Sequence, residues 1–429
     1  MNIKYLIYTA TVVLLIVSCK NETPKAEIVE TSSYEAYLNN VNKQSTVNAE
    51  QEVAYWSKRL DKDTTGIGDI GALAGAYSSL FDASGNINAL KNSEVLYKRA
   101  IEIAASKDPY VRGLAHNYIS QHRFKEAKTL LEDLYAGPTN KRATEFMLFD
   151  VYMELGEYEK ADQMLGNFRN NGDYNYLIRV AKWSDYNGEL DSAIRYLEKA
   201  KDIAESRDTK ALKIWTYSNI ADFYGHAGRL NDSYNHYIKT LELQPDNSYS
   251  KKGIAWMKYS KEKNTTEANR ILDSIIVHHN IPDYYLLKAE MAEFDGDTIK
   301  ANAYLDTFME KAANPMYGAM YNTYKIEVLV DRDPVKALAL ANEEVNNRET
   351  PEAYQLLALA QLKNGQKKEA LKTIEEHVAE KTYEPMALYH SALVYQANGL
   401  KDKVEPIKEE LQGASYEIGP VLAAEVEKL

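Results

Sequence analysis

The residues that could carry chemistry are few and form no recognised catalytic set. The chain has 8 histidines but no His-Glu-x-x-His metal motif, and His278-His279 stands in a context typical of a solvated turn. It has no Gly-x-x-x-x-Gly-Lys-Ser/Thr phosphate loop and no Gly-x-Ser-x-Gly elbow. Asp61 to Gly66 matches the front of a calcium loop, but Ala72 occupies the twelfth position, where a bidentate glutamate belongs. We therefore predict no catalytic residue, no metal site and no cofactor.

Composition and charge narrow the classes of function. The 429 residues are 27% charged and 45% hydrophobic, which is ordinary for a globular protein and excludes a wholly disordered or fibrous chain. Acidic residues outnumber basic ones by 63 to 51, giving a net charge of −12. A general nucleic-acid binder needs the opposite sign to gain from counterion release, so no nucleic-acid partner is expected. A single cysteine excludes an internal disulfide framework.

That cysteine, Cys19, follows a segment with the parts of a secretory signal. Residues 1–18 have a short basic start, an apolar run and a small residue, Ser18, at the end. A membrane-spanning helix needs about 20 apolar residues, and the stretch between Lys4 and Lys20 is shorter and partly polar. The sequence Ile16-Val17-Ser18-Cys19 resembles the lipobox of bacterial lipoproteins. A plain signal peptide is the alternative.

The lipoprotein resemblance implies a cellular location. The signal peptide 1–18 would be cleaved, and Cys19 would carry a diacylglycerol and acyl chains such as palmitate. Several acyl chains hold a protein on a bilayer far better than one. Lys20 in place of an aspartate favours the outer membrane by analogy with enterobacterial sorting, and the leaflet stays open. We therefore expect a lipid-anchored protein of the cell envelope.

The segment after the anchor is polar and predicts a flexible tether over residues 19–47, because it has too few apolar side chains to offset the entropy of ordering. Asn48 resembles the start of a capping box, which predicts a first helix over about 49–60. A degenerate helix pair with an enlarged turn through Gly85 would complete a segment 48–107.

An internal repeat dominates the rest of the chain. Gly-x-Tyr/Leu/Thr-x-x-Ala recurs with apolar, helix-like stretches on both sides of each copy. Aligned on the alanine, nine units start at residues 108, 142, 174, 214, 249, 282, 318, 351 and 385, about 35 residues apart. The wider spacing before 214 predicts an extended helix ending near Ile203, and Pro334 should begin the second helix of the unit at 318.

These units resemble the tetratricopeptide repeat (TPR), a helix–turn–helix unit of 34 residues. The resemblance implies an all-α solenoid, a right-handed superhelix of nine repeats over 108–418, closed by a capping helix over 419–429. Small residues would let paired helices cross closely, and glycine would end each first helix in a conformation that other residues resist. The residues that define the repeats are Ala115, Ala127, Gly156, Ala161, Gly188, Ala193, Ala221, Gly228, Gly296, Ala301, Gly365, Ala370 and Gly399.

In TPR proteins the first helices line a concave groove, and certain positions on them usually face the ligand. Transferred to this chain, the partner-binding candidates are Arg112, His116, Asp150, Glu154, Lys182, Asp185, Tyr186, Trp215, Asp222, His226 and Phe294. Each aromatic residue could instead be buried against the next repeat, and each charged residue could lie on a solvated face.

The sequence thus predicts a binding module rather than an enzyme. The first hypothesis is a membrane-anchored, non-enzymatic scaffold or adaptor that binds a protein or peptide in the cell envelope. The alternative is a glycan- or nutrient-binding lipoprotein of the outer surface, for which aromatic rings clustered on one face would be the signature. Charges spread along the groove favour the first hypothesis. The oligomeric state stays open.

Overall fold

The computed structural model describes residues 31–39, 43–60, 66–104 and 106–429. Within these ranges the chain forms 23 α-helices, one 3₁₀ turn and no strand, so the all-α prediction is confirmed. Cys19 with its lipobox, and residues 61–65 of the calcium-like sequence, lie outside the described residues. No helix of the described part is long and apolar enough to cross a membrane.

Four helices precede the repeats: α1 Thr31–Asn39, α2 Gln44–Leu60, α3 Ile67–Ser84 and α4 Ile87–Ile103. Helix α1 lies inside the segment expected to be a tether, so that prediction is wrong for residues 31–39 and 44–47. Tyr34 of α1 is fully buried and donates a hydrogen bond to Glu267 at 2.6 Å, and Glu35 pairs with Arg270 at 2.6 Å. Burial of Tyr34 against a distant helix supplies the free energy that composition alone did not reveal.

Two further N-terminal predictions need correction. Helix α2 begins at Gln44, and Asn48 lies within it rather than capping it. Ser45 instead bonds through its amide and hydroxyl to Asp246, both at 2.7 Å. The turn between α3 and α4 is short, because Gly85 ends α3 in the left-handed region at φ 68°. The enlarged part of this unit is therefore helix α3, not its turn.

The repeats follow as consecutive helix pairs. Their bounds are α5 Asp108–Ser120, α6 Phe124–Ala136, α7 Lys141–Glu154, α8 Tyr158–Asn167, α9 Tyr174–Tyr186, α10 Leu190–Ser206, α11 Lys210–His226, α12 Leu230–Leu243, α13 Ser248–Ser260, α14 Thr265–Ile276, α15 Asp283–Phe294, α16 Thr298–Ala312, α17 Asn322–Arg332, α18 Pro334–Asn347, α19 Pro351–Lys363, α20 Lys367–His377, α21 Pro385–Ala397 and α22 Lys401–Gly413. Each helix packs on its partner and on the next pair, which is the TPR-like solenoid.

Local geometry explains why these pairs form. Ala115, Ala127, Ala161, Ala193, Ala221 and Ala370 have no exposed surface, and Ala301 has 7%, so the paired helices meet where these small side chains lie. The repeat glycines all have φ between 70° and 78°, where a β-carbon is strained. His122 and Lys263 occupy the same turn position with φ of 56° and 58°, so a non-glycine residue there adopts the left-handed conformation at a local cost.

The irregular units differ from the regular ones in helix length. Helix α10 extends to Ser206, in keeping with the wide spacing before the next unit. Pro334 begins α18, whereas α17 begins at Asn322, four residues after the predicted start at 318. A 3₁₀ turn at Pro315–Tyr317 and a left-handed Gly318 take up those residues.

The C-terminal helix does more than cap the last repeat. Helix α23, Ser415–Val426, begins before Gly419, whose φ of 76° and ψ of 168° break it, so the predicted boundary at 419 is a kink and not a start. Its later half packs on α21 and α22. Its first half instead contacts α11, α13 and α15 on the inner face of the superhelix.

Contacts at the start of α23 are specific. The carbonyl of Tyr416 accepts hydrogen bonds from Trp256 Nε1 at 3.2 Å and Ser260 Oγ at 2.6 Å. A β-carbon on Gly225 would lie 2.9 Å from the Tyr416 ring, so only glycine fits there without a shift. The chain thus places the start of its own last helix inside the groove that the sequence assigns to a partner.

The solenoid also closes on itself, because loops of the early repeats touch loops of the late repeats. Lys125 Nζ donates to the carbonyl of Asn346 at 2.5 Å, and Arg348 pairs with Glu154 at 3.5 Å. A β-carbon on Gly156 would lie 2.5 Å from the carbonyl oxygen of Glu349. We call the segment 346–349, together with the early-repeat turns that contact it, the closure contact.

Two glycine substitutions test the closure contact. Gly156→Ala and Gly365→Ala impose the same left-handed strain, about 1–2 kcal/mol. Only Gly156→Ala also collides with the closure contact, since Gly365 has open space around it. We expect Gly156→Ala to lower the free energy of unfolding by roughly 1–3 kcal/mol more than Gly365→Ala in chemical denaturation. Equal losses would contradict the closure.

Candidate functional site

The closed superhelix encloses a first cavity, cavity I, of about 450 Å³. Its wall from the early repeats includes Glu154, Tyr158, Lys182, Asp185, Tyr186 and His226. Its wall from the late repeats and α23 includes Arg348, Glu352, Tyr383, Glu384, Glu410 and Glu417. Six of these residues are carboxylates, and only Lys182 and Arg348 are permanently basic, so cavity I is acidic.

A network of ion pairs fixes one side of cavity I. Glu154 accepts from Lys182 at 2.8 Å and lies 3.5 Å from Arg348. Burial opposes the charge on Lys182, but Glu154 and Asp150 outweigh it and raise the pKa of Lys182. The pKa of Glu154 is lowered, because Lys182 and Arg348 outweigh the effect of its burial. Both groups are therefore ionised at neutral pH, and the network joins the third repeat to the closure contact.

The opposite side of cavity I concentrates negative charge. Burial, with Glu417, Glu352 and Asp185 nearby, raises the pKa of Glu384 to about 7. Burial also raises the pKa of Asp185, and the Glu417 charge adds to that shift. His226 lies 3.8 Å from Glu417 and is the neighbouring group able to become cationic. These carboxylates remain in contact with water, so a positively charged ligand would meet them as anions at slightly basic pH.

A second cavity, cavity II, has a volume of about 920 Å³, which is within the range of ligand sites. Helices α11, α13, α15 and α17 supply most of its lining. Five carboxylates line it, namely Asp222, Asp283, Glu290, Glu327 and Asp331, beside Lys252 and Arg332. Its apolar wall includes Trp256, Leu286, Leu287, Tyr324, Val328 and Met386. The start of α23 lies between the cavities, because Glu417 lines cavity I and Gly419 contacts Trp256 and Glu290.

Most carboxylates of cavity II have partners within the chain. Asp222 accepts hydrogen bonds from the hydroxyls of Tyr237 and Tyr249. Glu290 accepts from Tyr259 at 2.9 Å, and burial nevertheless raises its pKa to about 7. The remaining two are held as well, Asp283 by the hydroxyl of Tyr321 at 3.1 Å and Asp331 by Lys363 at 2.5 Å.

Glu327 differs from the other four. In the part of the chain that the structure describes, no hydrogen bond or ion pair from another residue reaches its carboxyl group, which is partly buried at the cavity wall. Burial alone raises the pKa of Glu327 to about 7. Partial burial makes the charged carboxylate less favourable than in water, and the carboxyl group of Glu327 is therefore open to a proton, to water or to a cation from outside.

The structure sorts the predicted groove residues into three groups. Glu154, Lys182, Asp185, Tyr186 and His226 line cavity I, and Asp222 lines cavity II. Arg112 and Asp150 instead join neighbouring repeats: Arg112 contacts Thr139 at 3.3 Å, and Asp150 pairs with Arg179 at 2.6 Å. His116, Trp215 and Phe294 are solvent-exposed and line neither cavity.

Sequence reasoning missed the residues contributed by the late loops and the C terminus. Arg348, Tyr383 and Glu384 follow the second helices of their repeats, outside the groove positions of the TPR pattern, whereas Glu352 lies in the first turn of α19 at a groove position that the sequence analysis did not select. They reach cavity I because the superhelix closes, and no local sequence pattern predicts that closure. Trp256 did carry a signal, since it stands where the repeat needs a small residue. Its ring lines cavity II and lies close to Gly419 of α23.

Metal binding has no support among the described residues, where no group of three or more His, Cys, Asp or Glu side chains could hold an ion. The acidic lining of both cavities is therefore spread along the walls rather than converging on one point.

The raised pKa of Glu327 predicts a pH-dependent effect on stability. A carboxyl whose folded-state pKa is raised stabilises the fold below its unfolded pKa of 4.5 and loses that contribution as pH rises through about 7. Glu327→Gln stays neutral, so we expect it to raise the free energy of unfolding of the ligand-free protein at pH 8, by about 1–3 kcal/mol after allowance for solvent screening.

At pH 5 the same substitution should have little effect, because wild-type Glu327 is protonated there. Thermal unfolding at both pH values measures the difference, with the exposed Glu343→Gln on α18 as the matched control. An equal effect of Glu327→Gln at pH 5 and pH 8 would show that its carboxyl is not shifted.

Comparisons with known proteins give only distant structural similarity. No protein-family model and no curated protein matches the sequence. Among solved structures, the chain is similar to human IFIT1 in a dimer with m7Gppp-AAAA, at 13% identity over 77% of each chain, with a TM-score of 0.47. Yeast Tom70 matches at 15% identity over 93% of this chain and 97% of its own, with a TM-score of 0.36.

The Cut9–Hcn1 hetero-tetramer of the APC/C matches at 12% identity over 93% of this chain and 98% of that chain, with a TM-score of 0.34. At these identities and TM-scores the similarities carry no argument about a ligand or partner. The TPR-like architecture is established by the helix pairs of the chain itself.

Proposed function

We propose that this protein is a lipid-anchored, non-enzymatic scaffold of the bacterial cell envelope that binds a segment of another protein inside its superhelix. The observation that carries the proposal is the acidic interior: the first helices of successive repeats present carboxylates and aromatic rings to two cavities. Such a surface offers directed polar contacts along a path of several repeats, which suits an extended chain segment better than a compact substrate.

The membrane anchor rests on the sequence alone. Ile16-Val17-Ser18-Cys19 supports lipidation at Cys19 and an outer-membrane location. Helix α1 begins at Thr31, so only the short segment from Cys19 to that helix would connect the lipid to the folded body. The folded body would therefore lie near the membrane surface, since a chain spans at most about 3.3–3.6 Å per residue.

Glycan binding is the second candidate, because cavity II contains a cluster of aromatic rings. Two contacts disfavour it. The hydroxyls of Tyr237 and Tyr249 are already donated to Asp222, and Trp256 Nε1 is donated to the carbonyl of Tyr416. A sugar would have to replace these bonds or bind without them, whereas the carboxyl groups of Glu384 in cavity I and Glu327 in cavity II have no hydrogen bond or ion pair with a described residue.

Site-specific photo-crosslinking in living cells tests the proposed function. A benzophenone amino acid replaces Tyr383, which lines cavity I and is 58% exposed, and, as control, Lys199, which lies exposed on the outer helix α10. We expect one protein to be captured from position 383 and not from position 199. Capture of the same species at both positions, or of none at 383, would contradict binding inside the superhelix.

A Cys19→Ala variant, expressed in the same strain and followed by membrane fractionation, tests the lipid anchor. Without the lipidated sulfur, the protein should become soluble or stay at the inner membrane, because the acyl chains that would hold it in the outer membrane are missing. Its retention in the outer-membrane fraction would refute anchoring through Cys19 and would leave the crosslinking result unaffected.

A further inference from the structure

Cavity II combines three features that no structural role within the chain accounts for. It is large, one wall is apolar and aromatic, and five carboxylates face two basic side chains across it. Of those two, Arg332 is already held by Asp306 and Asn302, both at 2.6 Å. Lys252 alone therefore offers positive charge to the cavity, close to Asp222. The cavity keeps an excess of negative charge that its own residues do not neutralise.

The negative charge that no residue of cavity II neutralises lies at Glu327. Every other carboxylate of the cavity accepts a hydrogen bond or an ion pair from a described residue, whereas Glu327 accepts none. Glu327 is partly buried at the cavity wall, so its carboxyl group is left to water or to a ligand that enters the cavity. Glu327 is carried on α17, next to Val328 of the apolar wall.

The apolar wall fixes the kind of cation that would fit. Trp256, Tyr324, Leu286 and Met386 line the same cavity and would contact hydrocarbon, and the two rings add the attraction of an aromatic face for a cation. A hydrated metal ion would use none of these contacts. A long side chain with a charged end uses all of them, because lysine and arginine bury their methylenes while their charged group finds an acid.

We propose that cavity II binds a lysine- or arginine-bearing segment of the protein partner, with the cationic group at Glu327 and its methylenes along the apolar wall. This inference rests on the proposed function and names the chemistry of the partner. The start of α23 forms one boundary of the site, since Gly419 contacts Trp256 and Glu290, so the bound segment would lie between the C terminus and α17.

Binding of peptide pools to the purified full-length protein tests the inference. Four pools of fluorescent, randomised heptapeptides differ only in one fixed central residue, which is lysine, arginine, citrulline or glutamate. We expect the lysine and arginine pools to bind at least about tenfold more tightly than the citrulline pool, measured by anisotropy. Citrulline is the control for arginine because it keeps the shape and loses the charge.

Variants of the protein test whether the preference for the lysine and arginine pools arises at cavity II. Glu327→Gln should abolish the tenfold preference for charged pools, and Glu343→Gln, an exposed glutamate on the neighbouring helix α18, should retain it. Circular dichroism confirms that each variant is folded. A preference that survives Glu327→Gln, or equal binding of the arginine and citrulline pools, overturns the inference.

Free spermidine and hexylamine distinguish a peptide from a small amine. If either competes with the lysine pool at equal amine concentration, the ligand is a small organic cation and the assignment to a protein partner is wrong. The outcomes separate this inference from the proposed function. Capture of a partner at position 383 without charge discrimination by the pools refutes only the inference, and discrimination without capture refutes only the scaffold.

Discussion

Contact between the early and late repeats is the constraint on which the rest of the structure depends. An open solenoid would expose its concave face to solvent along its whole length. Here the turns of the early repeats meet the segment 346–349, and Gly156 is required twice, once for its positive φ and once for the carbonyl of Glu349 against it. The glycine that ends a helix therefore also lets two distant parts of the superhelix approach each other.

Closure changes the electrostatics of the inner face. The carboxylates that line the inner face are partly enclosed by the neighbouring repeats and α23, and this desolvation raises the pKa values of Glu290, Glu327 and Glu384 to about 7. The same enclosure strengthens any charge pair formed inside, because water screens it less. An acidic interior of this kind selects a partner by charge, and the start of α23 divides that interior into two sites of different character.

The repeat architecture could be predicted from the sequence because its determinants are local. Ala161 and Gly156 lie in the same short motif, where Ala161 is fully buried between the paired helices and the left-handed Gly156 ends the first of them. Helix α1 could also have been found, since Tyr34, Tyr37 and Leu38 follow helical spacing and all pack on the middle repeats, but its polar neighbours favoured a tether. Asp185 and Tyr186 were identified as groove residues by transfer from the TPR pattern, and they do line cavity I.

The late-repeat wall of the site lay beyond sequence reasoning for a physical reason. Arg348 meets Glu154, and Glu384 meets Asp185, across a separation of about two hundred residues. Arg348 and Glu384 stand in loops, where no periodicity marks a buried face. Their positions follow from the accumulated rotation of six or so helix pairs, to which every irregular unit, such as the one beginning with α17, contributes.

The central claim, that the superhelix is closed, is tested most directly by a short chemical crosslink across the closure contact. Cys19 is the only cysteine of the chain, so Cys19→Ala with Lys125→Cys and Asn346→Cys leaves one defined pair of thiols. Both positions are exposed, and Lys125 reaches the Asn346 carbonyl in the closed form. The account predicts rapid intramolecular crosslinking by a bismaleimide with a short spacer, which is lost in denaturant. No crosslink in the folded protein would mean that the superhelix is open, and would contradict the enclosed site.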